Sequence, residues 1–233
     1  MTEEPSRASL REEALHRHQR NFRRVLDACA YPGTVVRLEV DARPQAHGAA
    51  PAALGEALFE AVSLLVDQAT TFCVVDAAHA EATSFIAGET HARPCDAPDA
   101  DFLVVTSRAC SSVARRAVLG ARAGDLLAPE RGASVIVGCE YVRSFGQSLV
   151  RRSAPAGARS SKPPADLCRV EVRGPGVDGA NRFVVDRVDW ALARAERADE
   201  FPCGIDVLLV DRDGFAVMVP RTSALALADG KAA

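Results

Sequence analysis

The sequence predicts an α/β protein of three layers built around a mixed sheet. Two observations carry this. Helix-like and strand-like segments alternate through the first two-thirds of the chain, which is the pattern of helices packed on the faces of a sheet. The runs Phe102-Leu103-Val104-Val105 and 134–138 are also apolar without alternation, as suits strands covered on both faces.

The elements follow in order. Residues 9–30 read as a helix, with Leu15, His18, Phe22, Val25, Leu26 and Cys29 recurring at three- and four-residue steps on one face, and Arg20, Arg23, Arg24 and Asp27 mostly elsewhere. Pro32-Gly33 stops it, because proline disfavours helix at the residue before it and glycine accepts positive φ. A strand is expected at 34–40, a helix at 52–66 with Leu54, Leu58, Ala61, Val62 and Leu65 inward, and a strand at 71–75. A helix at 77–87 should end at Gly88, followed by strand 101–106, a helical turn or two at 111–119 and strand 134–138.

From 141 to 167 the periodicity dissolves into Ser, Ala, Pro and Arg, including Arg143, Arg151, Arg152, Arg159 and Lys162, the composition of a flexible insertion. Beyond it come a strand at 168–172, a turn at Gly174-Pro175-Gly176 and a helix at 189–198 carrying the single tryptophan, Trp190. A hairpin of strands 205–210 and 215–219 turns at Asp211-Arg212-Asp213-Gly214, with Gly214 in the left-handed position. Fraying is expected at both termini, in the tail from Leu227 onward. With no repeat and no linker composition, 1–233 is expected to be a single domain.

Composition narrows the function. The 233 residues are 48% hydrophobic and 25% charged with a net charge of −3, so nothing draws the chain electrostatically to nucleic acid or an anionic membrane. No apolar run spans a bilayer, and the polar segment 1–13 does not read as a secretory signal. Seven cysteines without repeated spacing suit reduced thiols and a cytoplasmic location. Of the 28 basic residues only Lys162 and Lys231 are lysines.

Motifs exclude more than they identify. Gly174-Pro175-Gly176-Val177-Asp178-Gly179 matches the dinucleotide pattern G-x-G-x-x-G, but the next helix starts about ten residues later, so the segment reads as a strand-connecting turn. No phosphate-binding loop and no nucleophile elbow is present. His16 and His18 face different directions on a helix, and His91 with Cys95 lacks the partners that would complete a metal shell. The distinctive polar group is Arg221-Thr222-Ser223 at a strand end, where a guanidinium and hydroxyls can hold a phosphate or carboxylate. Equally, Arg221 can pair with Asp206 to close the sheet. A pocket combining Arg221, Thr222, Asp206 and Arg23 would favour anion binding, and their mutual pairing an interface.

Three separated stretches together resemble one family. They are Asn21-Phe22-Arg23-Arg24-Val25-Leu26-Asp27-Ala28 with Pro32-Gly33; Pro129-Glu130-Arg131-Gly132-Ala133-Ser134 with the later Gly174-Pro175-Gly176; and Phe201-Pro202-Cys203-Gly204-Ile205-Asp206 with Pro220-Arg221-Thr222. In order and spacing they are similar to PhnH proteins of bacterial phosphonate metabolism. The resemblance implies a fold like that of the pyridoxal-phosphate-dependent transferases. It also implies a role in the core of carbon–phosphorus lyase with PhnG, PhnI and PhnJ, which with PhnL displaces adenine from ATP by an alkylphosphonate. It assigns no catalytic residue, and it implies a homodimer in isolation. Pyridoxal chemistry needs a Schiff-base lysine inside the fold, which Lys162 in a loop and Lys231 in the tail do not supply, so no cofactor is expected. The 141–167 segment is longer than the family pattern. A stand-alone enzyme binding a phosphate or nucleotide near Arg221, and a purely homodimeric module, are the alternatives.

Overall fold

A computed structural model describes residues 7–40, 48–145, 166–199 and 201–230. The chain runs α1 (Arg7–Ala30), β1 (Val35–Arg37), α2 (Glu56–Leu65), β2 (Thr71–Val75), α3 (His79–Thr90), β3 (Arg93–Pro94), β4 (Phe102–Val105), α4 (Ser111–Gly120), β5 (Ser134–Cys139) and β6 (Val142–Ser144). It continues through β7 (Leu167–Arg173), β8 (Asn181–Val185), α5 (Asp189–Glu196), β9 (Asp206–Asp211), β10 (Phe215–Val219) and β11 (Ala224–Gly230), with short 3-10 turns at Ala97–Asp99 and Pro129–Arg131.

Seven strands form a mixed sheet in the order β1-β10-β9-β5-β4-β2-β3. The β2–β3, β2–β4, β4–β5 and β5–β9 pairs are parallel; β9–β10 and β10–β1 are antiparallel. Alternation across the pleat divides the core. Val104, Ile136, Leu208 and Val210 face a layer containing Val25 of α1, Phe59 and Val62 of α2 and Ile86 of α3. Leu103, Val105, Val135, Val137, Val207 and Leu209 face the other way, onto Val118 of α4, Trp190 of α5, and Val170, Val172, Phe183 and Val185. Those last four belong to a second, four-stranded antiparallel sheet, β11-β7-β8-β6. The mixed sheet and the α/β class are as expected, but the third layer is part helix and part sheet.

Several elements differ from the sequence reading. The inward face of α1 is rotated: Leu15, Phe22 and Leu26 are 57%, 42% and 50% exposed, whereas Asn21, Val25 and Ala28 are buried. The reason is polar. The Asn21 side-chain amide donates to the Glu39 carbonyl and accepts the Glu39 N–H, both at 2.8 Å, and also donates to the buried Glu60 carboxylate at 2.8 Å. This pairing pins the helix rotation, since a buried amide left unpaired is costly. Helix α3 runs through Gly88 and stops at His91, whose φ of 59° is the left-handed cap, its N–H donating to the Ala87 carbonyl.

Strands β3, β6, β8 and β11 are absent from the sequence reading because they are short or weakly patterned. β11 replaces the expected frayed tail through Gly230, pairing along β7; its alternating Ala and Leu carry little strand preference. β6 and the start of β7 occupy the ends of the expected 141–167 insertion; 146–165 lie outside the described residues. The Gly174–Gly176 turn joins β7 to β8 as a plain connection. A Cβ at Gly176 (φ 79°) would lie 2.2 Å from the Ala30 carbonyl oxygen, so glycine permits the turn to nest on the end of α1.

The rotation of α1 is checked by urea denaturation of two variants. Val25→Ala is expected to cost about 1.5–3 kcal/mol, and Asn21→Ala, which strands its partners at Glu39 and Glu60, about 1–3 kcal/mol.

Candidate functional site

Strand β10 runs against the parallel strands, so its end lies beside their beginnings: Val219 pairs with Val207, and Ser134 with Asp206. Arg221 and Asp206 therefore meet at the amino edge of the parallel strands, opposite the carboxyl edge where open α/β sheets usually take ligands. The Arg221 fork grips Asp206, with Nη2 to Oδ2 at 2.6 Å and Nε to Oδ2 at 3.1 Å, while its backbone N–H donates to Oδ1 at 2.7 Å. Nη1 donates to the Pro129 carbonyl, and Nη2 also donates to the Gly132 carbonyl at 3.4 Å. Arg221 is thereby a tie between β10, β9 and the Pro129–Arg131 turn. Thr222 is exposed beside it. Arg23 is exposed on α1 and does not line the adjoining cleft, so the four residues singled out in the sequence do not form one pocket.

That cleft, of about 190 Å³, is lined by Arg194, Arg197, Asp199, Phe201, Cys203 and Arg221 among others. The Arg197 fork pairs with Asp199, and its Nη1 donates to the Val118 and Leu119 carbonyls at 2.7 and 3.0 Å, capping the end of α4. Nη2 of Arg194 donates to the carbonyls of Pro220, Arg221 and Ser223. Burial lowers the Arg194 pKa from its usual value, against the raising influence of Asp206 and Asp199. Arg194 and Arg197 were not legible as site residues: on an eight-residue helix and its exit, an arginine facing solvent and one facing a cleft look alike in sequence.

At the carboxyl edge a buried ion pair holds the strand ends. Arg187 donates through Nη1 to the Thr106 and Gly138 carbonyls, at 3.0 and 3.3 Å, and through Nη2 to the Ala109 carbonyl at 3.4 Å. Its Nε donates to Asp189 at 3.1 Å, and the two side chains are only 10% and 4% exposed. Beside it, the Thr106 hydroxyl donates to Asp76. Burial opposes the Asp76 charge, but Thr106, the backbone N–H groups of Ala78 and Ala77, and Arg108 outweigh it and hold the carboxyl below the usual range. Farther along this edge Asp211, with no side-chain exposure, pairs with Arg143; burial pushes its pKa up against that cation and the N–H groups of Val142 and Phe215. Burial also raises the Cys139 thiol well above its usual value, which removes it as a nucleophile. Among the described residues no three His, Cys, Asp or Glu side chains come together as a metal shell.

The sequence stretches that carried the resemblance converge. A Cβ at Gly132 would lie 2.2 Å from the Gly204 carbonyl oxygen and 2.6 Å from Arg221 Nη1, so the Pro129–Gly132, Phe201–Asp206 and Pro220–Thr222 stretches meet at one packed junction. Pro32-Gly33 and the Gly174–Gly176 turn form another, where the Asn181 amide donates to the Pro32 carbonyl at 2.8 Å.

Fold and site define a mixed α/β protein with a buried Arg187–Asp189 pair at the carboxyl edge of its parallel strands and an arginine-lined cleft at the amino edge. Comparison with known proteins supplies the family. The model of the bacterial phosphonate metabolism protein PhnH matches residues 11–226, and the chain belongs to the PhnH family. It is 27% identical over 225 residues to HtxG of Stutzerimonas stutzeri, a protein named as a C-P lyase subunit, covering 96% of this chain and 93% of that one. Among the described residues no helix is long and apolar enough to cross a membrane.

Two measurements check the carboxyl edge. Arg187→Gln leaves Asp189 buried without its cation and is expected to cost about 3–5 kcal/mol by chemical denaturation. Because the Asp76 pKa is lower folded than unfolded, its stabilisation is full above the unfolded pKa and is lost as pH falls through the folded one. The advantage of wild type over Asp76→Asn should accordingly hold at neutral pH and shrink below about pH 4 in denaturation curves taken across pH.

Proposed function

We propose that the chain is a subunit of a carbon–phosphorus lyase assembly, acting with PhnG, PhnI and PhnJ partners in the step that transfers an alkylphosphonate onto the ribose of ATP with release of adenine. Membership of the PhnH family across 11–226 carries this reading. Similarity along nearly its whole length to a protein named as a C-P lyase subunit supports it. So does the character of the polar groups. Arg221 and Arg187 give their hydrogen bonds to Asp206, Asp189 and backbone carbonyls, the pattern of groups that hold a fold together rather than of a self-sufficient catalytic centre.

The architecture is consistent with the three-layer fold of pyridoxal-phosphate-dependent transferases, and the reading needs no pyridoxal phosphate. The chain has two lysines, Lys162 and Lys231, and both lie outside the described residues. We place the protein in the cytoplasm, where its cysteines, free among the described residues, remain reduced. In isolation the chain pairs with a second copy of itself; the exposed apolar stripe Leu15, Phe22 and Leu26 on α1 favours this reading.

Co-expression of the tagged chain with PhnG, PhnI and PhnJ from one genome tests the assembly. The four are expected to co-elute as one complex, and a chain that elutes without them sinks the proposal. For the isolated chain, sedimentation should give a dimer mass that shifts toward the monomer in Phe22→Glu; a monomeric wild type rejects self-pairing.

A further inference from the structure

We propose that the cleft beside α5 binds a small tetrahedral oxyanion, a phosphate or phosphonate group, with Arg194 as its charge anchor. The pairing of the three guanidiniums that line the cleft carries the argument. Arg221 is matched by Asp206 and Arg197 by Asp199. Arg194 has no carboxylate in hydrogen-bond contact among the described residues. Its Nη2 is held by the carbonyls of Pro220, Arg221 and Ser223 at 2.8, 3.0 and 2.7 Å, and its Nη1 is shielded from solvent without a hydrogen-bond partner.

A guanidinium stays protonated in a protein. A largely buried cation without a directly paired carboxylate is costly, and an anion seated next to it relieves that cost. The lowered Arg194 pKa reports the same imbalance, with Asp206 and Asp199 offsetting burial only in part. A cation left without a directly paired carboxylate on the wall of a cleft is a physical mark of a binding site.

Size and shape narrow the ligand. The roughly 190 Å³ available is below the ~300–1,000 Å³ typical of pockets for drug-sized molecules. A phosphate or a phosphonate with a short substituent fits; a nucleoside triphosphate cannot be enclosed. The Arg221 and Arg197 forks are held by carboxylates and Arg194 Nη2 by carbonyls, so the cleft draws its ligand by charge, which favours a doubly charged oxyanion over a singly charged carboxylate. Arg221 and Arg197 then act as positioning residues: one holds the β10 exit and the other the end of α4, and together they frame Arg194. The inference stands on the cleft geometry and rests on the proposed function only for phosphonate as the natural ligand.

Calorimetric titration of the full chain with inorganic phosphate, methylphosphonate and acetate, at matched ionic strength, tests it. Phosphate and methylphosphonate are expected to bind saturably and acetate at least about tenfold more weakly. Two variants separate binding from folding. Arg194→Gln removes the charge, and Cys203→Asp places a carboxylate on the cleft wall while leaving every Arg194 contact in place. Each is expected to weaken phosphate binding at least about tenfold, with Cys203→Asp keeping the wild-type circular dichroism spectrum and melting transition. The proposal is overturned by the absence of phosphate binding to wild type, by equal binding of acetate, or by undiminished binding in a folded Cys203→Asp. None of these outcomes depends on co-elution with PhnG, PhnI and PhnJ, so each reading can fail without the other.

Discussion

The Arg187 guanidinium lies where the carboxyl ends of β4 and β5 meet the first turn of α5, and the arrangement of the second layer depends on it. Three backbone carbonyls at the ends and exits of those strands, from Thr106, Ala109 and Gly138, accept its N–H groups, and Asp189 neutralises its charge. Asp189 also accepts the backbone N–H of Trp190 at 2.9 Å, and the Arg187 carbonyl accepts the indole N–H at 3.1 Å. One ion pair thus orients the largest buried side chain of the protein over the sheet. In a parallel sheet the carboxyl ends of the strands are where ligands usually bind; here Arg187 occupies the carbonyls at the ends and exits of β4 and β5, and the arginine-lined cleft lies at the other end of the strands.

At that amino edge the same logic operates with a different balance. Arg221 and Asp206 close the β9–β10 exit, and Gly132 lets the Pro129–Arg131 turn approach within backbone contact of Gly204. Arg197 caps α4 while held by Asp199. These ties are satisfied. Arg194, between them, is satisfied by carbonyl dipoles but by no directly paired carboxylate among the described residues, and that asymmetry distinguishes the cleft from the ion-paired carboxyl edge.

Much of the framework was readable because it rests on local rules. The apolar runs at 102–105 and 134–138, the Asp211–Gly214 hairpin, the Pro32-Gly33 stop and the strand-connecting character of Gly174–Gly176 follow from periodicity and turn chemistry. The rotation of α1 was not readable, because Leu15, Phe22 and Leu26 give as good an apolar stripe as Val25 and Ala28. Only the long-range bonds of Asn21 to residues 39 and 60 choose between them. Strands β6, β8 and β11 were equally hidden: short segments such as Asn181–Val185 become strands through their neighbours in the second sheet, not through their own propensity.

By itself the sequence determined the α/β class, the order of most elements, the paucity of lysine and the resemblance to PhnH proteins. It also marked Arg221 and Asp206 as partners in one of two roles. Tertiary structure showed the pairing itself, placing Asp206, the Pro129 carbonyl and the Gly132 carbonyl around one guanidinium. It also decided which arginine is left without a matched carboxylate. Whether a charge is compensated depends on groups dozens of residues away, 26 to 29 positions for Arg194 and its carbonyls, and nothing in a local sequence pattern encodes that distance.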